Sequence, residues 1–72
     1  MSARQEAGAA CRNAEYEQQD IYERFAKACR EAPCGPARTK AAKAGRYMIK
    51  ACMALNEAAN AFYDEADKEE QG

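Results

Sequence analysis

The sequence contains no histidine, no tryptophan and no valine, and it has a single leucine, Leu55. Without histidine the chain lacks the side chain that most often serves as general acid, general base or metal ligand. The scarcity of β-branched and aromatic residues disfavours strands, whereas alanine, which fills 18 of the 72 positions, favours helix. We therefore expect an all-α protein that is not an enzyme and that binds no cofactor and no metal.

Only two prolines are present, and both lie in one short segment. Pro33 and Pro36 break a helix because each lacks a backbone N–H group and restricts the residue before it. The flanking sequence favours helix, so it predicts a single hairpin domain over residues 1–72. We expect a first helix at about 3–31, a turn at 32–36 and a second helix at about 37–68. Ser2 followed by Gln5 predicts a capping box at the start of the first helix.

Small and apolar residues recur at spacings of four and three along both helices, which is the coiled-coil pattern. The pattern extends over more than three heptads of the second helix, and it predicts the surface on which the two helices meet. Its members in the second helix are Ala41, Gly45, Met48, Cys52, Leu55, Ala59, Phe62 and Ala66. Its members in the first helix are Ala7, Cys11, Ala14, Gln18, Ile21, Phe25 and Ala28.

The four cysteines suggest how the helices align. If the chain folds back between residues 31 and 32, residues whose numbers sum to 63 lie level with one another. Cys11 then faces Cys52, and Cys29 faces Cys34. Two interpretations stay open: two structural disulfides, or four reduced thiols packed between the helices. The same alignment predicts three ion pairs between the helices, Glu17 with Arg46, Asp20 with Lys43 and Glu23 with Lys40.

The arrangement of the cysteines resembles a known family. Two antiparallel helices clamped by two cysteine pairs are similar to the twin-cysteine helical hairpins of the mitochondrial intermembrane space. Here 17 residues separate Cys11 from Cys29, and 17 separate Cys34 from Cys52. The resemblance concerns topology alone, so it implies a hairpin and no particular function.

The first twenty residues contain no apolar run long enough for a signal peptide or a membrane span. We therefore expect a cytoplasmic protein with no membrane partner. Thiols in that compartment are usually reduced, which conflicts with two matched cysteine pairs. The compartment and the oxidation state of the cysteines thus stay open together.

The apolar surface exceeds what two helices can cover. In the predicted alignment, residue 61 lies level with Ser2, so the aromatic residues that follow it would project beyond the first helix. Such a surplus favours self-association into a homodimeric four-helix bundle. We expect a small non-enzymatic adaptor or antagonist, a regulatory inhibitor that binds a protein partner through its helical surface. The expected interface residues are Tyr16, Tyr22, Tyr47, Ile49, Met53, Phe62 and Tyr63.

A second function comes from the basic residues of the second helix. Four basic residues, Lys40, Lys43, Arg46 and Lys50, form a stripe along the second helix, and Tyr47 lies between them. Basic residues interleaved with an aromatic one are typical of nucleic-acid binding. The acidic residues expected opposite the stripe weaken this interpretation, and the net charge of −1 produces no overall attraction to nucleic acid. We therefore keep a nucleic-acid-binding helical dimer as the alternative to protein binding.

Overall fold

The computed structural model describes residues 2–71. Within them, helix α1 spans Ala3–Glu31, helix α2 spans Pro36–Gln71, and there is no strand. The second helix ends three residues beyond its predicted end. The two helices pack against each other as an antiparallel hairpin 57 Å long. The all-α class and the hairpin predicted from the sequence are confirmed.

The start of α1 has the predicted capping box. The Ser2 hydroxyl accepts a hydrogen bond from the Gln5 backbone N–H at 3.2 Å, and the Gln5 side-chain oxygen accepts one from the Ser2 N–H at 2.9 Å. These bonds satisfy two backbone groups that have no partner inside the helix. They define where the helix begins.

The turn follows from its prolines. Ala32 leaves α1 in an extended conformation, as the residue before a proline must, and its N–H donates to the Cys29 carbonyl at 3.3 Å. Pro36 occupies the first position of α2, where its missing N–H group costs nothing. The carbonyl of Gly35 accepts the backbone N–H of Thr39 at 3.1 Å, which begins the hydrogen-bond ladder of α2.

The predicted contact surface of α2 is confirmed. Gly45, Ala59 and Ala66 are buried, and the other five members of its four-and-three pattern are half-buried. Ala59 and Ala66 are the hydrophobic residues fully covered within the described chain, at 0% and 2% exposure. The hairpin core is therefore thin, because alanine buries little apolar area.

The predicted contact surface of α1 is partly wrong. Ile21 is 45% exposed, and Ala28 is exposed as well. The buried positions are Gly8 and Glu15. They continue at seven-residue spacing into half-buried Tyr22 and Cys29. This stripe lies one residue, or about 100° of the helix, from the predicted stripe through Ile21 and Ala28, whereas Cys11, Gln18 and Phe25 are half-buried as predicted.

The predicted alignment is also wrong, by one heptad. Gly8 lies against Tyr63 and Gly45 lies against Phe25, so level residues have numbers that sum to about 70 instead of 63. Seven residues are close to two helical turns, and the shift of about 10.5 Å therefore returns the same face of α2 to the contact. In the observed alignment each glycine receives an aromatic ring. In the predicted one, Gly8 would face Leu55.

The displacement separates Cys11 from Cys52. Cys11 is level with Ala59 instead of Cys52, and all four cysteines are free within the described residues. Cys34 is exposed at the turn, and the other three are half-buried. The disulfide-clamped hairpin is thus not the observed arrangement. The alternative of four thiols packed between the helices is met by three of them, since Cys34 is exposed.

The predicted ion pairs between the helices are replaced by others. Arg4 near the start of α1 binds Glu65 and Glu69 near the end of α2. Two further pairs lie within α1: Arg12 with Glu15, and Arg24 with Asp20. In residues 2–71 none of the three predicted pairs forms.

Candidate protein-binding groove

A shallow groove runs along one side of the hairpin. Near the turn it forms a cavity of about 270 Å³ with an apolar floor that includes Tyr22, Phe25 and Ile49. Arg30, Arg38 and Arg46 line the same cavity, which has no acidic residue in its wall. This end of the groove combines an apolar floor with positive charge, so it suits an apolar group that carries an anion.

The groove continues toward the middle of the hairpin. A second depression of about 340 Å³ shares Tyr22 and Ile49 with the first. Its remaining wall consists of Glu15, Gln19, Glu23, Cys52, Met53 and Asn56. We call this side of the hairpin the groove face, and it comprises the residues that line the two depressions together with their helical neighbours on the same side.

A polar cluster closes the groove face at its centre. Glu15, only 9% exposed, accepts a hydrogen bond from Arg12 Nη1 at 2.7 Å and one from Gln19 Nε2 at 3.4 Å. The same guanidinium of Arg12 donates to the Asn56 side-chain oxygen and, at 2.8 Å, to that of Asn60. Arg12 therefore neutralises the buried carboxylate and ties α1 to α2. These contacts favour the observed alignment, since a shift of one heptad would remove the two asparagines.

Two glycines allow the helices to approach closely. A Cβ atom on Gly8 would lie 3.0 Å from Tyr63 Cε1, so the tyrosine ring rests directly on the backbone of α1. A Cβ atom on Gly45 would lie 3.5 Å from Tyr22 Cε2, which is an ordinary contact distance. Tyr22 thus forms the floor of the groove because α2 has no side chain at that point.

Three of the expected interface residues are exposed on the groove face. Ile49 and Met53 line the groove, and Tyr16 lies seven residues before Glu23 on the same side of α1. Tyr22 contributes to the floor and is half-buried. Tyr22, Ile49 and Met53 line one depression, and the helical spacing places Tyr16 beside it.

The other three expected interface residues lie elsewhere. Tyr47 is exposed on the outward side of α2. Phe62 and Tyr63 are half-buried, and the expectation that they project beyond α1 is wrong because the alignment places Tyr63 level with Gly8. Tyr63 takes part in the contact between the helices through Gly8.

The basic stripe is exposed and lacks the acidic neighbours that the predicted alignment gave it. Lys40, Lys43, Arg46 and Lys50 all face solvent. Within residues 2–71 none of them forms an ion pair. Lys50 Nζ lies 5.8 Å from the centre of the Tyr47 ring, in cation–π range. Arg46 also reaches the groove, so the stripe and the groove face share one residue.

Sequence reasoning missed the polar cluster and two of the three arginines of the groove, Arg30 and Arg38. The signal for Glu15 was its position seven residues after Gly8 and seven before Tyr22. A search for apolar residues alone does not find this seven-residue spacing because Glu15 is charged. No local pattern marked Arg30 and Arg38, since only the turn brings them together.

In the described chain, no three histidine, cysteine, aspartate or glutamate side chains are grouped so that they could hold a metal ion. Neither helix, over the same residues, has a stretch apolar enough to cross a membrane. No protein-family model, curated protein or solved structure is detectably similar to this chain.

Proposed function

We propose that this chain is a small non-enzymatic adaptor or antagonist that binds protein through its helical surface, with a second copy of itself as the first occupant of the groove face. The observation that carries the proposal is the distribution of large apolar side chains. Tyr16, Ile21, Tyr47, Ile49 and Met53 are 42–60% exposed, whereas the fully covered hydrophobic residues are two alanines.

This distribution favours association on energetic grounds. A chain of 72 residues with so thin a core is only marginally stable by itself. Burying a side chain the size of isoleucine or methionine contributes roughly 1.5–3 kcal/mol, so covering Ile49, Met53 and Tyr16 would add more than the two buried alanines do. Two hairpins packed on their groove faces form the four-helix bundle expected from the sequence.

The outward side of α2 remains available to a further protein in such a dimer. It carries exposed Tyr47 between Lys43 and Lys50, and aromatic and basic residues in one patch suit a partner with an acidic surface. The absence of histidine from the sequence supports a binding role instead of catalysis.

The self-association is tested by sedimentation velocity at micromolar concentrations under reducing conditions. We expect the wild type to sediment as a dimer and Met53→Glu as a monomer, because a carboxylate in the apolar centre of the interface would be desolvated. Ala54→Glu is the matched control, since it adds the same charge one residue away on the outward side of α2. A folded wild-type monomer, or equal dissociation of both variants, would contradict the proposal.

The partner surface is tested with Tyr47→Ala as bait beside the wild type. The capture is run with and without reductant, and both baits must be dimeric. Proteins that the wild type retains and the variant loses would be assigned to the outward side of α2 around Tyr47. If the two baits retain the same proteins, Tyr47 has no part in binding.

A second candidate, nucleic-acid binding, gains from one observation: the basic stripe is exposed and forms no ion pair with the rest of the described chain. Fluorescence anisotropy with a labelled 20-base-pair duplex at 50 and 200 mM salt tests it. Binding that weakens steeply with salt, and that Lys40→Gln with Lys43→Gln abolishes but Lys68→Gln does not, would establish this function. Absence of binding at 50 mM salt would reject it.

A further inference from the structure

The observed alignment separates the charges of the hairpin into two halves. The half nearer the turn, residues 19–51, carries eight lysines and arginines and three acidic residues. The half nearer the chain ends carries three basic and nine acidic residues. The near-zero net charge of the chain thus conceals about +5 at one end and −6 at the other of a molecule 57 Å long.

The groove face has the same polarity. Its turn end carries Arg30, Arg38 and Arg46, and its middle carries exposed Ile49 and Met53 beside the polar residues that line the second depression. At the open end, Asp64 and Asp67 lie four and seven residues after Asn60, which binds Arg12 on this side of the hairpin. The order along the face is therefore positive at the turn, mixed apolar and polar in the middle, and negative at the open end.

We infer that the second copy on the groove face is antiparallel to the first, with its Asp64 and Asp67 over Arg30 and Arg38 at the turn end. This inference rests on the proposed self-association and specifies its geometry. A two-fold axis through the middle of the hairpin exchanges the two ends. Arg30 lies about twelve residues from that middle, or about 18 Å, and Asp64 lies at a similar distance on the other side. Each copy thus provides the arginines for one pair of charged ends and the aspartates for the other.

The apolar residues meet in the same arrangement. Tyr16 and Met53 are level with each other just on the open side of the middle, and Ile49 and Tyr22 are level just on the turn side. The two-fold axis that brings the oppositely charged ends together therefore also places Tyr16 and Met53 of one copy against Ile49 and Tyr22 of the other. A parallel dimer would cover the same apolar residues but would place arginine on arginine and aspartate on aspartate.

The available area suits a stable dimer. A face 57 Å long and 15 Å wide presents on the order of 850 Å² per copy. Specific protein interfaces of standard size bury about 800 Å² on each partner. The interface would have to use most of the groove face, including both charged ends.

The first test is the salt dependence of the dimer measured by sedimentation velocity. For an antiparallel dimer we expect the dissociation constant to rise about tenfold between 50 and 500 mM sodium chloride, because opposed surface charges are screened. A parallel dimer would tighten with salt. A dissociation constant that falls or stays constant would overturn the antiparallel inference but leave the proposed self-association standing, whereas a monomer at every salt concentration would remove both.

The second test measures orientation directly. A spin label on exposed Cys34, with the other three cysteines changed to alanine, reports the distance between the two turns of a dimer. We expect about 50 Å for antiparallel copies and less than about 25 Å for parallel ones. Circular dichroism and sedimentation confirm that the labelled chain remains helical and dimeric. A short distance would overturn the inference.

Charge reversal tests the named residues. We expect Arg30→Glu with Arg38→Glu to weaken the dimer at least tenfold, and Asp64→Lys with Asp67→Lys to do the same. The chain that carries all four changes should regain most of the affinity, because its charges are again complementary in the antiparallel dimer. Failure of the combined variant to dimerise better than either pair, with helicity unchanged, would show that these residues do not meet.

Discussion

The contact between Gly8 and Tyr63 offers the sharpest test of the observed alignment. Changing Gly8 to alanine adds a Cβ atom that would lie 3.0, 3.1 and 3.2 Å from three carbons of the Tyr63 ring. Such contacts are too short for carbon atoms, so the ring must move by several tenths of an ångström. Gly45→Ala is the matched control because its Cβ atom would lie 3.5 and 3.6 Å from Tyr22 and Phe25.

Two opposing effects determine how much each glycine-to-alanine substitution changes the free energy of unfolding. Replacing glycine by alanine inside a helix stabilises by up to about 1 kcal/mol. Overpacking an interior contact costs about 1–3 kcal/mol, and the half-buried Tyr63 ring can relieve only part of it. We expect Gly8→Ala to lose about 1 kcal/mol and Gly45→Ala to gain about 0.5–1 kcal/mol. The two variants should therefore differ by roughly 8 °C in melting temperature.

Thermal unfolding followed by circular dichroism provides the measurement, at one fixed protein concentration because association adds to stability. A double-mutant cycle isolates the contact. In a Tyr63→Ala background, Gly8→Ala should become stabilising, with a coupling energy of about 1–2 kcal/mol. If Gly8→Ala stabilises both backgrounds equally, Tyr63 does not contact Gly8 and the alignment is wrong.

Three further outcomes are expected. Arg12→Ala should destabilise by about 1–3 kcal/mol in denaturant unfolding, because the buried Glu15 carboxylate loses its cationic partner, and equal stability would show that the cluster is not formed. Ser2→Ala should cost about 0.5–2 kcal/mol by removing the capping box, a loss that urea unfolding resolves and that Ser2→Asp should largely avoid. Alkylation without reductant should modify all four thiols, with Cys34 first as the exposed one, and mass spectrometry showing two modified thiols would indicate a disulfide.

The helices themselves could be predicted because their signals are local. A capping box, a pair of prolines and a long alanine-rich sequence act within a few residues of where they occur. The four-and-three pattern of α2 was equally reliable, since small and apolar residues follow it without interruption. Local propensity and periodicity therefore suffice for the class, the hairpin and one of its two contact surfaces.

The contact surface of α1 was harder to predict because two stripes compete on that helix. The stripe with Ile21 is the more apolar, yet the structure buries the stripe with Gly8, Glu15 and Tyr22. Glu15 is tolerated there because Arg12 lies beside it and donates to it. A carboxylate at a contact position argues against burial until its partner is known.

The alignment of the helices and the groove depend on contacts between residues far apart in the chain. A heptad pattern repeats every two turns, so registers that differ by seven residues bury the same face of the helix. The cysteines favoured the register in which numbers sum to 63, which is not the observed one. The choice between them came from shape and hydrogen bonding: a tyrosine ring on Gly8, and two asparagines within reach of Arg12. The residues of this sequence determine two helices and a turn, whereas the packing of side chains across the hairpin determines which residues meet, because steric fit acts only once the helices are side by side.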